Sequence, residues 1–192
     1  MEVESRLKRD PYRLRLAGSG GQGLVLAGII LAEAAMYDDR EVIQLQSYGA
    51  EARLGSSSSE VIISSRRITS PLVEHPDLLL CLSAAAFKRY FPELLPGAMT
   101  VIDATNVRLE RPPEAPGVLV HYLPITATAQ ERLGNQLAAN MVALGAINAL
   151  ENLVSWESLE RAVEARVAAR FRELDQQALQ IGRELAPQAA RH

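Results

Sequence analysis

The chain is poor in the residues that build redox and metal centres. Among 192 residues there are one cysteine, three histidines, one tryptophan and three phenylalanines. Cys81 cannot close an internal disulfide, nor hold an iron–sulfur cluster, which normally needs four thiolates. His75, His121 and His192 lie far apart in the sequence, and none has a zinc-ligand spacing. The formal net charge is -3, and with so few aromatics a nucleic-acid surface with base-stacking platforms is not expected. No apolar run reaches membrane-spanning length without a charge or a break. Met1–Asp10 is charged and lacks the apolar stretch of a secretion signal, so a cytoplasmic location is expected. Internal repeats are absent, and Ser56–Ser59 reads as a short serine run inside a loop.

What is present is an ordinary globular composition, 48% hydrophobic and 22% charged. The length suits one domain with an appended helical tail, large enough to need no staple. Tyr12–Ala17 alternates as a strand. Gly18–Gly23 is a glycine-rich turn, Leu24–Met36 an apolar buried helix and Val42–Gln46 a second strand. This opens a right-handed β-α-β unit. Glu60–Ser64 is a further strand with no helix before it, so one antiparallel member is allowed in the sheet. Leu78–Leu82, Thr100–Asp103 and Val118–Tyr122 read as strands, and Ala84–Tyr90 as a short helix. Thr126–Leu133 and Ala138–Leu150 are helices. Ser155 caps a third, along which Val163, Val167, Phe171, Leu174, Ala178, Ile181 and Leu185 form one apolar stripe. The expected fold is α/β: a Rossmann-like, mostly parallel sheet flanked by helices, with a domain at 12–165 and a C-terminal helical tail at 166–192. A stripe left uncovered would be an interface, and on that ground the isolated chain is expected to form a homodimer.

The glycine turn Gly18-Ser19-Gly20-Gly21-Gln22-Gly23 follows a strand and opens a helix. Glycine allows a sharp turn and close approach of a ligand, and free N–H groups at a helix start suit an anion. A nicotinamide site also wants an acid at the end of the second strand. That end reads Gln44-Leu45-Gln46-Ser47, and Glu41 lies before the strand. A P-loop is excluded, since no Gly-Lys-Ser/Thr follows. Anion binding and a simple packing turn both stay open. Asp103, Asn135 and Asn140 read as caps, Cys81 as core and His121 as a structural histidine.

A second loop, Gln46-Ser47-Tyr48-Gly49-Ala50-Glu51-Ala52-Arg53-Leu54-Gly55, should lie at the same end of the sheet and offers a hydroxyl, a carboxylate and a guanidinium. Together the motifs resemble the gamma subunits of 2-oxoacid:ferredoxin oxidoreductases. Those subunits show a Gly-x-Gly-Gly-Gln-Gly turn, then Ser-Tyr-Gly-Pro-Glu-x-Arg-Gly-Gly, then a strand ending Val-Ile-Ile-Ser. Here the counterparts are Gly18–Gly23, Ser47–Gly55 with Ala50 and Leu54 as departures, and Val61–Ser64. Leu133-Gly134-Asn135 and Ala139-Asn140-Met141-Val142 extend the likeness, which runs from about Arg13 to Val163.

The resemblance implies a helper subunit of an enzyme that oxidatively decarboxylates a 2-oxoacid, with 2-oxoglutarate ahead of pyruvate, branched-chain oxoacids and indolepyruvate. It implies alpha, beta and, where present, delta partner subunits. These would carry thiamine diphosphate and iron–sulfur clusters and pass electrons to ferredoxin. For this chain it implies no catalytic residue and no metal, and a coenzyme A site at Gly18, Ser19, Gly20, Gly21, Gln22, Gly23, Ser47, Tyr48, Glu51 and Arg53. The rival readings are a stand-alone dinucleotide-binding protein and a regulatory binding module.

Overall fold

The computed structural model describes residues 9–48, 56–110, 113 and 115–188, with backbone alone for Ser47, Tyr48, Ser56 and Gln188. Six strands are present among them: β1 Tyr12–Ser19, β2 Glu41–Tyr48, β3 Ser56–Ser64, β4 Leu78–Cys81, β5 Met99–Asp103 and β6 Leu119–Leu123. They form one mixed sheet in the order β2-β3-β1-β4-β5-β6. Only β3 runs against the rest, pairing antiparallel with both β1 and β2. The cause is the short connection from β2 to β3. It leaves no room for a crossover helix, so the chain turns back as a hairpin. β1, β4, β5 and β6 pair in parallel.

Two expectations change here. The serine run at Ser56–Ser59 is strand rather than loop, with Ser58 and Ser59 buried. The β-α-β unit exists, but β3 lies between its two strands. Both departures follow from the hairpin, which extends β3 by four residues and slots it against β1.

Among the described residues six α-helices flank the sheet: α1 Leu24–Tyr37, α2 Ala84–Tyr90, α3 Ile125–Leu133, α4 Ala139–Glu151, α5 Trp156–Arg166 and α6 Ala169–Leu185. Strand alternation sorts the core into two layers. Leu14, Leu16, Leu78 and Leu80 face α1 and α3–α6. Ala17, Leu79, Cys81, Ile102 and Val120 face α2 through Ala86 and Tyr90. Cys81 is therefore a core residue, and burial pushes its thiol up from the usual range. His121 is also buried, within β6. No helix among the described residues is long and apolar enough to cross a membrane.

The helical segment that follows Ser155 is two helices, not one. Val167 and Ala168 are extended, with ψ of 134° and 139°, and turn the chain between α5 and α6. Its apolar stripe folds back on the chain's own core. Val163, Val167, Ala178, Ile181 and Leu185 are buried there and Leu174 packs against them, while Phe171 stays exposed. The stripe thus gives no reason to expect a homodimer. α6 sits tightly on α4 because Gly182 abuts the Val142 carbonyl and Gly145 abuts the Leu179 carbonyl.

Candidate functional site

The carboxyl ends of the parallel strands all lie at one end of the sheet, and the chain departs from them in different directions. After β1 it passes along one face as α1, and after β4 along the other as α2. Such a divergence opens a crevice between neighbouring strand ends, the usual ligand position in open α/β sheets. Here that position falls at the ends of β1 and β4, marked by Gly18–Gly23 and Leu82-Ser83.

Each glycine of the turn has a different reason to be glycine. A Cβ at Gly18 would strike the side-chain oxygen of Gln22 and come within 2.8 Å of Leu24 Cδ1. A Cβ at Gly23 would strike Asn140 Nδ2, and Gly23 has φ 70°, in the left-handed region. The outer glycines thus make room for two carboxamides. The inner pair differs. Nothing among the described residues lies within 4 Å of a Cβ built at Gly20 or Gly21. Gly21 has φ 87°, which accounts for it conformationally. Gly20 has neither a positive φ nor a crowded α-carbon, so the described chain itself does not require a glycine there.

The carboxamides hold the turn from two sides. Gln22 Oε1 accepts the Ser19 N–H at 2.6 Å, and Gln22 Nε2 donates to the Leu82 carbonyl at 3.1 Å. One side chain thereby ties the end of β1 to the end of β4 across the crevice. From the opposite flank, Asn140 Nδ2 donates to the Gly23 carbonyl at 3.1 Å, and its Oδ1 accepts the Met141 N–H at 2.9 Å. Asn140 is thus a tether between α4 and the turn rather than the expected cap, because α4 begins directly after Ala138. The sequence did carry a signal, a polar side chain among the apolar residues at the start of the helix, but not the identity of its partner.

The N-terminal turn of α1 carries no side-chain cap and no acidic residue. The other helices that follow parallel strands are closed. Ser83 Oγ accepts the Ala86 N–H at the start of α2. At the start of α3, buried Asp103 accepts the Thr126 N–H at 3.2 Å and its Oγ1–H at 2.6 Å, and also binds Thr105 N–H and Asn106 Nδ2. Asp103 thus acts as the expected cap. Asn135 caps a short 3-10 turn at Gln136–Ala138, accepting the Leu137 N–H. The partial positive charge at the start of α1 is thus met by no side-chain cap and no acidic residue of its own first turn.

The second loop leaves and rejoins the sheet at this same end. Tyr48 pairs with Ser57, and Ser56 pairs with Ser19 beside the glycine turn. Only the backbone of Ser47 and Tyr48 is described, and Glu51 and Arg53 lie outside the described residues. The interposed β3 also bears on the nicotinamide reading. It puts the end of β2 two strand spacings from β1, roughly 10 Å away, and Glu41 sits at the opposite end of β2.

The geometry defines a Rossmann-like α/β domain with an uncapped glycine turn at its switch point. The sequence pattern of the family described as pyruvate ferredoxin/flavodoxin oxidoreductase matches residues 13–185. The 2-oxoglutarate synthase subunit KorC of Methanocaldococcus jannaschii is 44% identical over 151 residues, covering 78% of this chain and 80% of that one. Among solved structures, the gamma subunit of a keto/oxoacid ferredoxin oxidoreductase from Geobacter sulfurreducens matches with a TM-score of 0.81 and 42% identity, covering 93% of this chain and 99% of that one. A 2-oxoglutarate:ferredoxin oxidoreductase from Magnetococcus marinus, solved with 2-oxoglutarate, coenzyme A and succinyl-CoA bound, has the same fold. There the TM-score is 0.85 at 23% identity, with 96% of this chain matching 32% of that longer one. The chain belongs to the pyruvate ferredoxin/flavodoxin oxidoreductase family, and within it to the gamma-subunit type.

Proposed function

We propose that this chain is the non-redox gamma subunit of a 2-oxoglutarate:ferredoxin oxidoreductase, and that Gly20, Gly21 and the first turn of α1 bind a phosphate group of coenzyme A. The observation that carries the site is Gly20, whose α-carbon is kept bare although neither its φ nor any described neighbour demands it. A phosphate oxygen approaching the backbone supplies the missing reason. Coenzyme A is the phosphate-bearing substrate of the reaction. Ser47, Tyr48, Glu51 and Arg53 would complete the site from the hairpin that borders Ser19, with the Arg53 guanidinium suited to a second phosphate.

The chain's part in the reaction is binding and orientation. Thiamine diphosphate, held by partner chains, would supply the electron sink for decarboxylation. One cysteine per chain, buried in the core, does not fit an iron–sulfur cluster, so clusters and electron delivery to ferredoxin also belong to alpha, beta and delta partners. The turn and its neighbours would hold the phosphate end of coenzyme A so that its thiol reaches the acyl group formed on the partner side. A cytoplasmic location fits this partnership. A homodimer of the isolated chain would need a surface other than the tail stripe, and sedimentation at micromolar concentration tests for one.

Gly20→Ala and Gly20→Val in the reconstituted holoenzyme test the site. A Cβ at residue 20 meets nothing among the described residues, so the Tm of the Ala variant should stay at the wild-type value. The KM for coenzyme A should rise, more for Val than for Ala, with the oxoacid KM unchanged. Equal change in both KM values, or no change in either, refutes the site.

A further inference from the structure

We infer that Gln22 and Asn140 are positioning residues that hold the glycine turn ready for its anionic ligand without touching it; the ligand itself rests on the reading above. Gln22 lies within the motif that resemblance assigns to ligand binding, but its carboxamide is already engaged inside the protein. Its oxygen accepts from Ser19 and its nitrogen donates to Leu82. Asn140, at 5% exposure, spends its two ends in the same way, on Gly23 and Met141.

The glycines record this arrangement. Gly18 gives up its Cβ to Gln22, and Gly23 gives up its Cβ to Asn140. The two clamps flank Gly20 and Gly21, where an added Cβ would meet nothing within 4 Å among the described residues. A six-residue turn with four glycines has many accessible shapes, and fixing it costs conformational entropy. Clamps at both flanks meet that cost on folding, before the ligand arrives, and the benefit appears as affinity. Both clamps also reach across elements. Gln22 spans β1 and β4, and Asn140 brings in α4 from 117 residues away.

Asn140→Asp and Gln22→Glu test this with near-isosteric side chains that keep the acceptor and remove the donor. Gln22→Met removes both without adding charge. Two measurements are made on the holoenzyme: amide hydrogen exchange at residues 18–26 without coenzyme A, and steady-state kinetics. The expected result is faster exchange confined to residues 18–26. With it, the KM for coenzyme A should rise about tenfold while kcat at saturation stays within twofold and the oxoacid KM is unchanged. Unchanged exchange in this segment overturns the clamp, and so does faster exchange throughout the domain, which would mark both residues as general fold supports. The coenzyme A assignment fails separately. If exchange rises locally but neither the clamp variants nor Gly20→Val alter the coenzyme A KM, the clamp stands and its ligand is another anion.

Discussion

Ser59 Oγ packs directly against the α-carbon of Gly28. A Cβ on residue 28 would clash with it and lie 3.0 Å from Ser59 Cβ. The same hydroxyl accepts Gln44 Nε2 at 2.9 Å. One contact thus seats α1 on β3, the reversed strand, and ties β3 to β2. The glycine turn ends at Gly23, five residues earlier, so this seat helps set the direction in which α1 leaves the turn.

Gly28→Ala should destabilise the chain by about 1–3 kcal/mol, the range for overpacking a tight contact. Urea denaturation measures it. Ser59→Gly in the same chain should recover most of the loss, since it removes the obstructing atoms. Absence of recovery would place the cause elsewhere in α1.

Gly182→Ala should destabilise in the same way, although alanine favours an isolated helix over glycine by about 1 kcal/mol. The obstacle at Gly182 is the Val142 carbonyl and the Ala146 amide, which are backbone and cannot rotate away. α6 would have to slide along α4. Thermal unfolding of the variant should show a lower Tm, whereas a peptide of α6 alone should gain helicity by circular dichroism.

Asp175 gives a pH test. Burial on α6 pushes its carboxyl up. Between the unfolded value, about 3.9, and the higher folded value, the folded chain holds more protons than the unfolded one. Stability therefore falls as pH rises through that window and stays lowered above it. Asp175→Asn should be more stable than the parent at pH 7, and the gain should shrink as pH falls toward about 4. A gain that is constant with pH would point to packing instead of charge.

The purified chain alone should turn over no substrate. With 2-oxoglutarate, coenzyme A, thiamine diphosphate and a viologen dye, its rate should equal the buffer blank, and activity should appear on adding partner chains. Turnover without partners would overturn the subunit assignment.

The regular parts of this fold were legible wherever local pattern decides structure. The all-apolar Leu78–Cys81 could only be a strand buried on both faces, and Gly134 ends α3 with φ 66°. What the pattern could not carry was which elements meet. The place of β3 between β1 and β2 depends on a hairpin whose serines have no apolar alternation. The break at Val167-Ala168 has no glycine or proline, and α5 and α6 each turn an apolar side to the same core, so the stripe reads straight through it. At the site, the glycines were visible as a motif, but dividing them into two that make room for carboxamides and two that stay bare required the positions of Gln22 and Asn140.

The tether from Asn140 to Gly23 joins the earliest part of the domain to a late one. A chain under synthesis carries its glycine turn through 117 further residues before the side chain that fastens it exists. α4 in turn is held by α6 through Gly145 and Gly182, close to the end of the chain. The turn is therefore fastened only after α4 has been made, and α4 is in turn braced by α6, so the shape of the first loop waits on two helices far along the chain.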